Sequence, residues 1–179
     1  SSTVVDVAEG GKTGAYAVNL TSPPSAPVTV TFNGGGQLAV EPGTLTFNSS
    51  NWDKPQAVTV RAVDDRVAEE AQHSGRIRHS VSSSDADYDG LAVVDLVGTV
   101  ADNDSAGVKV SRQDLSVDEG GSSASYTVVL ASKPTRTVMV TIDGGGQLVA
   151  AQSSGAAGYG GLTPNKVRVL VVGNDTPGV

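Results

Sequence analysis

The sequence predicts an all-β protein: an immunoglobulin-like antiparallel β-sandwich, present as tandem repeats, with the second copy incomplete. Three observations predict it. Apolar residues alternate with polar ones in short runs. Turn formers separate the runs, with 22 glycines and 8 prolines in 179 residues. The chain also repeats itself at a constant offset. No long apolar stripe of helical period interrupts the pattern.

The first copy supplies its strands in order. Val5 and Val7 open the first. Tyr16, Val18 and Leu20 share one face of the second, and Val28, Val30 and Phe32 one face of the third. Leu45 with Phe47 mark the fourth, and Val58, Val60 and Ala62 the fifth. Ile77, His79 and Val81 mark the sixth, and Val94, Leu96 and Val100 the seventh. Seven strands in about 100 residues match an immunoglobulin-like sandwich. Aromatics make up 4% of the chain, so the core must rest on Val, Leu and Ile. His79 alternates with Ile77 and Val81, so it is expected to face inward as a hydrogen-bonded histidine rather than to ligate zinc.

Val7-Ala8-Glu9-Gly10-Gly11 returns as Val117-Asp118-Glu119-Gly120-Gly121, at an offset of 110 residues. Tyr16, Val18 and Leu20 return as Tyr126, Val128 and Leu130, and Gly34-Gly35-Gly36-Gln37-Leu38 as Gly144-Gly145-Gly146-Gln147-Leu148. The match then decays. Val58, Val60 and Val63 align with Val167, Val169 and Val172, while Trp52 and the segment from Glu69 to Leu96 have no counterpart. The endings Asn103-Asp104 and Asn174-Asp175 echo each other at a different offset, 71 residues. The expected domains are 1–104 and a shortened or truncated second repeat over 105–179. The phase of the repeats predicts a stretch of a longer array, whose neighbouring repeats, in the same chain or as other copies in a fibre, are the expected partners.

Strand polarity gathers the acidic residues. If the first strand runs up, so do the third, fifth and seventh. Their upper ends carry Glu9, Asn33, Asp64-Asp65 and Asp102-Asn103-Asp104, with Glu69 following the fifth. The second copy repeats part of this set with Glu119, Asp143 and Asn174-Asp175. Carboxylates crowded at one pole repel one another, and a hard cation with six to eight oxygen ligands relieves the repulsion; Ca2+ fits best. The plainer alternative is that these loop carboxylates are simply solvated.

Taken together, several segments resemble the Calx-beta family. They are Val7-Ala8-Glu9-Gly10-Gly11, the Tyr16/Val18/Leu20 strand, Asn51-Trp52-Asp53-Lys54-Pro55-Gln56, Val58 to Asp65, Asp85-Ala86-Asp87-Tyr88-Asp89-Gly90 and Asp102-Asn103-Asp104. The resemblance covers nearly all of 1–104 and roughly half of 105–179. It implies Ca2+ at the acidic pole, with Glu9, Asp64, Asp65, Glu69, Asp102 and Asp104 as ligands. Arg66 departs from the third acidic residue of the exchanger motif, which puts the number of ions in doubt. Gly173-Asn174 implies a weaker or absent site in the second copy. The Trp-containing, glycine-rich variant is similar to the extracellular repeats of the family.

Other patterns carry less. Asp85, Asp87, Asp89 and Gly90 reproduce half of an EF-hand loop, but Leu96 stands at the twelfth position and no helices flank it; a hairpin loop with a weaker calcium contact is expected. The glycine runs lack the Gly-Lys-Ser/Thr of a phosphate loop, and neither G-x-S-x-G nor H-E-x-x-H occurs. No enzyme chemistry is therefore expected. Asn19, Asn48, Asn103 and Asn174 head Asn-x-Ser/Thr sequons, open to N-glycosylation in an extracellular or cell-surface setting. The net charge of −7 argues against nucleic acid. Without cysteine, no disulfide can stiffen the domain. No stretch is apolar enough to span a bilayer. The leading expectation is a calcium-binding structural or adhesion module. The alternatives are an accessory domain of a secreted enzyme and a calcium-sensing regulatory domain.

Overall fold

The computed structural model describes residues 4–121 and 123–144, and the backbone of 168–172. The described elements are all β-strands: β1 Val5–Ala8, β2 Gly14–Val18, β3 Val28–Asn33, β4 Leu38–Glu41, β5 Thr44–Phe47, β6 Gln56–Ala62, β7 Gln72–Ser83, β8 Leu96–Ala101, β9 Val108–Val110, β10 Asp114–Asp118, β11 Val128–Leu130 and β12 Arg168–Val172. The chain divides into two compact units, residues 1–65 with 69–103 and residues 66–68 with 104–179.

In the first unit, β1-β8-β7-β3-β5 form a five-stranded sheet and β2-β6-β4 a three-stranded one. Each strand alternates buried and exposed positions because successive side chains leave opposite faces of the pleat. The inward faces of the two sheets share one core. Val28, Phe47, Ile77 and Val100 of the larger sheet and Val58 and Val60 of the smaller are fully buried. Each such side chain stabilises the fold by about 1.5–3 kcal/mol relative to exposure. Trp52 packs against the edge of this core, and its carbonyl accepts the Leu20 N–H.

Two features differ from the sequence expectation. There are eight strands in this unit, since Leu38–Glu41 forms β4 against β6. The final strand starts at Leu96, where the ladder to Ile77 begins, and Val94 lies before it, 87% exposed. As the common direction of the first and last strands leads one to expect, β1 pairs with β8 in parallel. The two strands are distant in sequence, so no hairpin forces them antiparallel. Leu38 explains two glycines. A Cβ at Gly34 would meet the Leu38 carbonyl oxygen, and one at Gly75 would stand 2.6 Å from Leu38 Cγ.

In the second unit, β9 pairs with β11 in antiparallel fashion, and β10 pairs with β12 in parallel. The register corrects the sequence alignment. Leu115 faces Val169 and Val117 faces Val171, just as Val5 faces Gly98 and Val7 faces Val100. β12 therefore stands where β8 stands in the first unit, not where β6 stands. The Val-rich alternation fits either strand, and the Asn-Asp ending carries the correct phase.

Candidate metal centre

The site begins with a turn. After β1 the chain reverses through Gly10, whose φ of 62° is unstrained only for glycine. The Gly11 N–H donates to the Ala8 carbonyl, and the Glu9 N–H donates to the Ala101 carbonyl at 3.0 Å. This last bond extends the parallel β1–β8 ladder and sets Glu9 beside the residues that follow β8. A Cβ at Gly10 would lie 3.1 Å from Asn103 Nδ2 and 3.5 Å from Asp64 Oδ2. The glycine thus lets the turn pack close to both.

Glu9, Asp102 and Asp104 each place one carboxylate oxygen so that all three lie within 4.8 Å of one another. Glu9 is 5% exposed, and its Oε2 is buried without a hydrogen-bond partner. Burial pushes the Glu9 carboxyl above the ordinary range, and the charge of Asp102 adds to the rise. The Asn103 N–H opposes it, while a shared hydrogen bond with Asp102 and the charge of Asp65 raise it further. An all-oxygen donor set suits a hard cation. Calcium binds oxygen at about 2.3–2.6 Å, so two ligands of one ion stand at most roughly 5 Å apart. The three oxygens meet that limit, and the orphaned Oε2 is an acceptor in need of a positive partner. Six to eight ligands are usual, so backbone carbonyls or waters would complete the shell.

The other expected ligands divide. Asp64 is held at the same pole, accepting from Asn103 Nδ2 at 3.2 Å, but it does not join the group of three. Asp65 contributes through its charge. Glu69 turns its carboxylate elsewhere. Oε1 accepts from Gln37 Nε2 at 2.9 Å, and Oε2 lies 3.1 Å from His73 Nε2. Its backbone N–H donates to Asp102 Oδ2 at 2.6 Å, so Glu69 supports Asp102 rather than facing the group. Asn33 pairs with Arg78, six residues along β7 from Gln72, which pairs with Ala101. At ~3.3 Å per residue, β3 ends about 20 Å short of the β8 end. Sequence reasoning missed the part of Asn103, whose N–H bonds Glu9 while its side chain bonds Asp64; its sequon was the visible signal.

The half EF-hand is built as a hydrogen-bonded loop. Asp85 accepts from the Ser25 N–H at 2.7 Å and the Asp87 N–H at 3.1 Å, and these bonds hold its carboxyl below the ordinary range. Asp89 accepts from the Ser83 N–H, and the Tyr88 hydroxyl bonds the Ser22 carbonyl at 2.7 Å. His79 is half-buried, its Nε2 3.1 Å from the Tyr16 hydroxyl and its ring edge-on to Phe32. Burial lowers the His79 pKa and raises that of Tyr16 to about 12.

In the second unit the turn recurs at Gly120, with φ of 67°, but Glu119 is exposed where Glu9 is buried. In the β8-like register Gly173 takes the place of Asp102, by sequence. Asp143 is exposed, and Asn174 and Asp175 lie outside the described residues.

No protein-family model matches the chain. No curated protein matches its sequence. Among solved structures, the chain is similar to the crystal structure of CBD12 from CALX1.2, at 22% identity over 64% of this chain and 47% of that one, with a TM-score of 0.39. It is also similar to the calcium binding domain CBD12 of CALX1.1, at 18% identity over 64% and 47% of the two chains, with a TM-score of 0.36. The match takes in about half the length of these structures. The structural neighbours of this all-β chain are thus Calx-beta CBD12 structures at low identity.

Proposed function

We propose that the chain is a non-enzymatic structural module of a longer extracellular array, stiffened by Ca2+ at the Glu9, Asp102 and Asp104 carboxylates. The observation that carries this reading is the buried Glu9 carboxyl, its Oε2 partnerless, grouped with two further carboxylates. An ion there neutralises charges that the folded chain otherwise holds against their mutual repulsion. It also ties the turn after β1 to the end of β8 and, through the Asp102–Glu69 hydrogen bond, to the segment before β7. Asp64 and Asp65 supply further charge at the rim of this site. Neighbouring repeats are the proposed partners, joined in one chain or by strand addition between copies in a fibre. In an extracellular setting the exposed Asn19 and Asn48 are the proposed glycan carriers.

Calorimetric titration of chelator-stripped protein with calcium tests the reading. Extracellular modules bind near 10⁻⁴–10⁻³ M and cytosolic sensors near 10⁻⁷–10⁻⁵ M, at order of magnitude, so the measured Kd separates the array module from a sensor. Absence of saturable heat, together with identical melting in calcium and chelator, overturns the calcium reading.

A further inference from the structure

A second site lies away from the carboxylates. A cleft of about 180 Å³ opens between the glycine turn after β3 and the first half of β7, lined among others by Asn33, Gly35, Gly36, Arg76 and Arg78. Arg76 and Arg78 alternate with the buried Ile77, so both leave the outer face of the five-stranded sheet. Two residues of extended chain place their origins about 6.6 Å apart. Arg76 pairs with Asp95 at 3.3 Å across solvent. Arg78 pairs with Asn33 through the β3–β7 ladder, but its side chain makes no hydrogen bond or ion pair among the described residues. Asn33 Oδ1 accepts the Gly35 N–H at 2.9 Å and holds the turn, where Gly35 has a φ of 65°. A Cβ at Gly35 or Gly36 would meet nothing within 4 Å, so this rim of the cleft is bare backbone.

A chain of net charge −7 repels anions as a whole, and an arginine without its own acid, beside a second arginine and a bare backbone turn, is a local exception. We propose that this cleft binds a small oxyanion, the carboxylate or sulfate group of an acidic saccharide or the same group free in solution. The guanidinium of Arg78 offers a planar fork of donors that matches either group, while the charge of Arg76 beside it is offset by Asp95. The Gly35 N–H is taken by Asn33, and other backbone amides of such a turn are a common complement to these groups. The volume is below the ~300 Å³ of ordinary ligand pockets, which limits the occupant to one charged group and little else. The glycine run recurs in sequence at Gly144–Gly146 without a counterpart of Arg76 and Arg78, so the activity is confined to the first repeat.

The test is an amide NMR titration of the full chain at constant ionic strength, with sodium sulfate in one arm and sodium glucuronate in the other. Saturable shifts are expected at Gly34–Gln37 and Arg78, with Gly144–Gly146 unmoved. Arg78→Gln is expected to weaken binding about tenfold or more, since it removes charge-assisted bonds. Arg61→Gln on β6 leaves it unchanged. Tighter binding of glucuronate assigns a carboxylate as the bound group, and tighter binding of sulfate assigns a sulfate. No saturable shift in either arm, or equal affinity in Arg78→Gln, overturns the proposal.

Discussion

Glu9→Gln separates the electrostatic cost of the Glu9 carboxylate from its proposed role as a ligand. Without metal it costs stability, because burial and the Asp102 charge raise its pKa in the folded chain above the ordinary 4.5. A raised acid binds protons more tightly folded than unfolded. Stability from this group therefore falls as pH rises from the ordinary value through the raised one. Metal-free wild type is expected to lose stability over that window, and Glu9→Gln to lose none from this position. With metal the sign reverses. At calcium concentrations of 10–100 times Kd, mass action stabilises the folded state by about 1.4–2.7 kcal/mol. For a unit of about 100 residues, each kcal/mol moves Tm by ~4–8 °C, giving a rise of roughly 6–20 °C. Trp52 is the sole tryptophan and packs on the first core, so its fluorescence follows this unit within the whole chain. Glu9→Gln should melt no lower than wild type in chelator and show little or none of the calcium rise. A full calcium rise in Glu9→Gln would refute the assignment of Glu9 as a ligand. A metal-free pH dependence that survives the substitution would refute the electrostatic argument.

Three further outcomes follow from the same geometry. Phe47→Ala empties a fully buried position and is expected to cost about 3–5 kcal/mol, read from the urea midpoint at unchanged slope. Gly75→Ala drives a methyl to 2.6 Å from Leu38 Cγ and is expected to cost ~1–3 kcal/mol while calcium affinity in calorimetry stays the same. Asp85→Asn tests whether that carboxylate is a clamp or a ligand. The Ser25 N–H, with the Asp87 N–H, depresses its folded pKa below 3.8, so its contribution is present at neutral pH and fades as pH falls through the depressed value. The variant should melt lower than wild type at pH ~7, with the calcium-induced rise in Tm intact. Loss of that rise would make Asp85 a calcium contact.

The strands were legible because a half-buried strand writes its geometry directly into the sequence. Val28, Val30 and Phe32 alternate in sequence, and they are 0%, 3% and 7% exposed in the fold. Alternation does not say where a ladder starts. Val94 keeps the beat of Leu96 and Val100, yet the pairing with β7 begins at Ile77 opposite Leu96 and leaves Val94 in solvent. β4 escaped for another reason. It spans four residues and buries Leu38 most fully, and its other inward residue, Val40, is partly covered. Leu38 and Val40 lie between the Gly34–Gly36 run and Pro42-Gly43, so the segment reads equally well as a turn. Alternation alone also misassigned Arg168–Val172, whose backbone pairing identifies it as the partner of β10.

Polarity places a residue at a pole, but it does not choose which carboxylates converge there. That choice falls to neighbouring donors, which lie far apart in sequence. Glu69 is drawn aside by Gln37, 32 residues away, and by His73, so its main chain rather than its side chain serves Asp102. Asp64 is held by Asn103 Nδ2, 39 residues away. Glu9 has no such neighbour for Oε2, because the Ala101 carbonyl fixes its backbone where the nearest groups are other acids. Its burial without a partner is therefore enforced by the β1–β8 ladder, in which the two strands run in the same direction. This makes the site sensitive to changes that never touch a carboxylate. A Gly10→Val substitution forces a β-branched residue into a φ of 62° and toward Asn103, so the turn must move. The expected result is a loss of calcium affinity larger than that from Asp64→Asn, although no ligand is removed. Calorimetry on both variants decides the matter: a Gly10→Val protein that binds calcium as wild type does would show that the turn does not position Glu9.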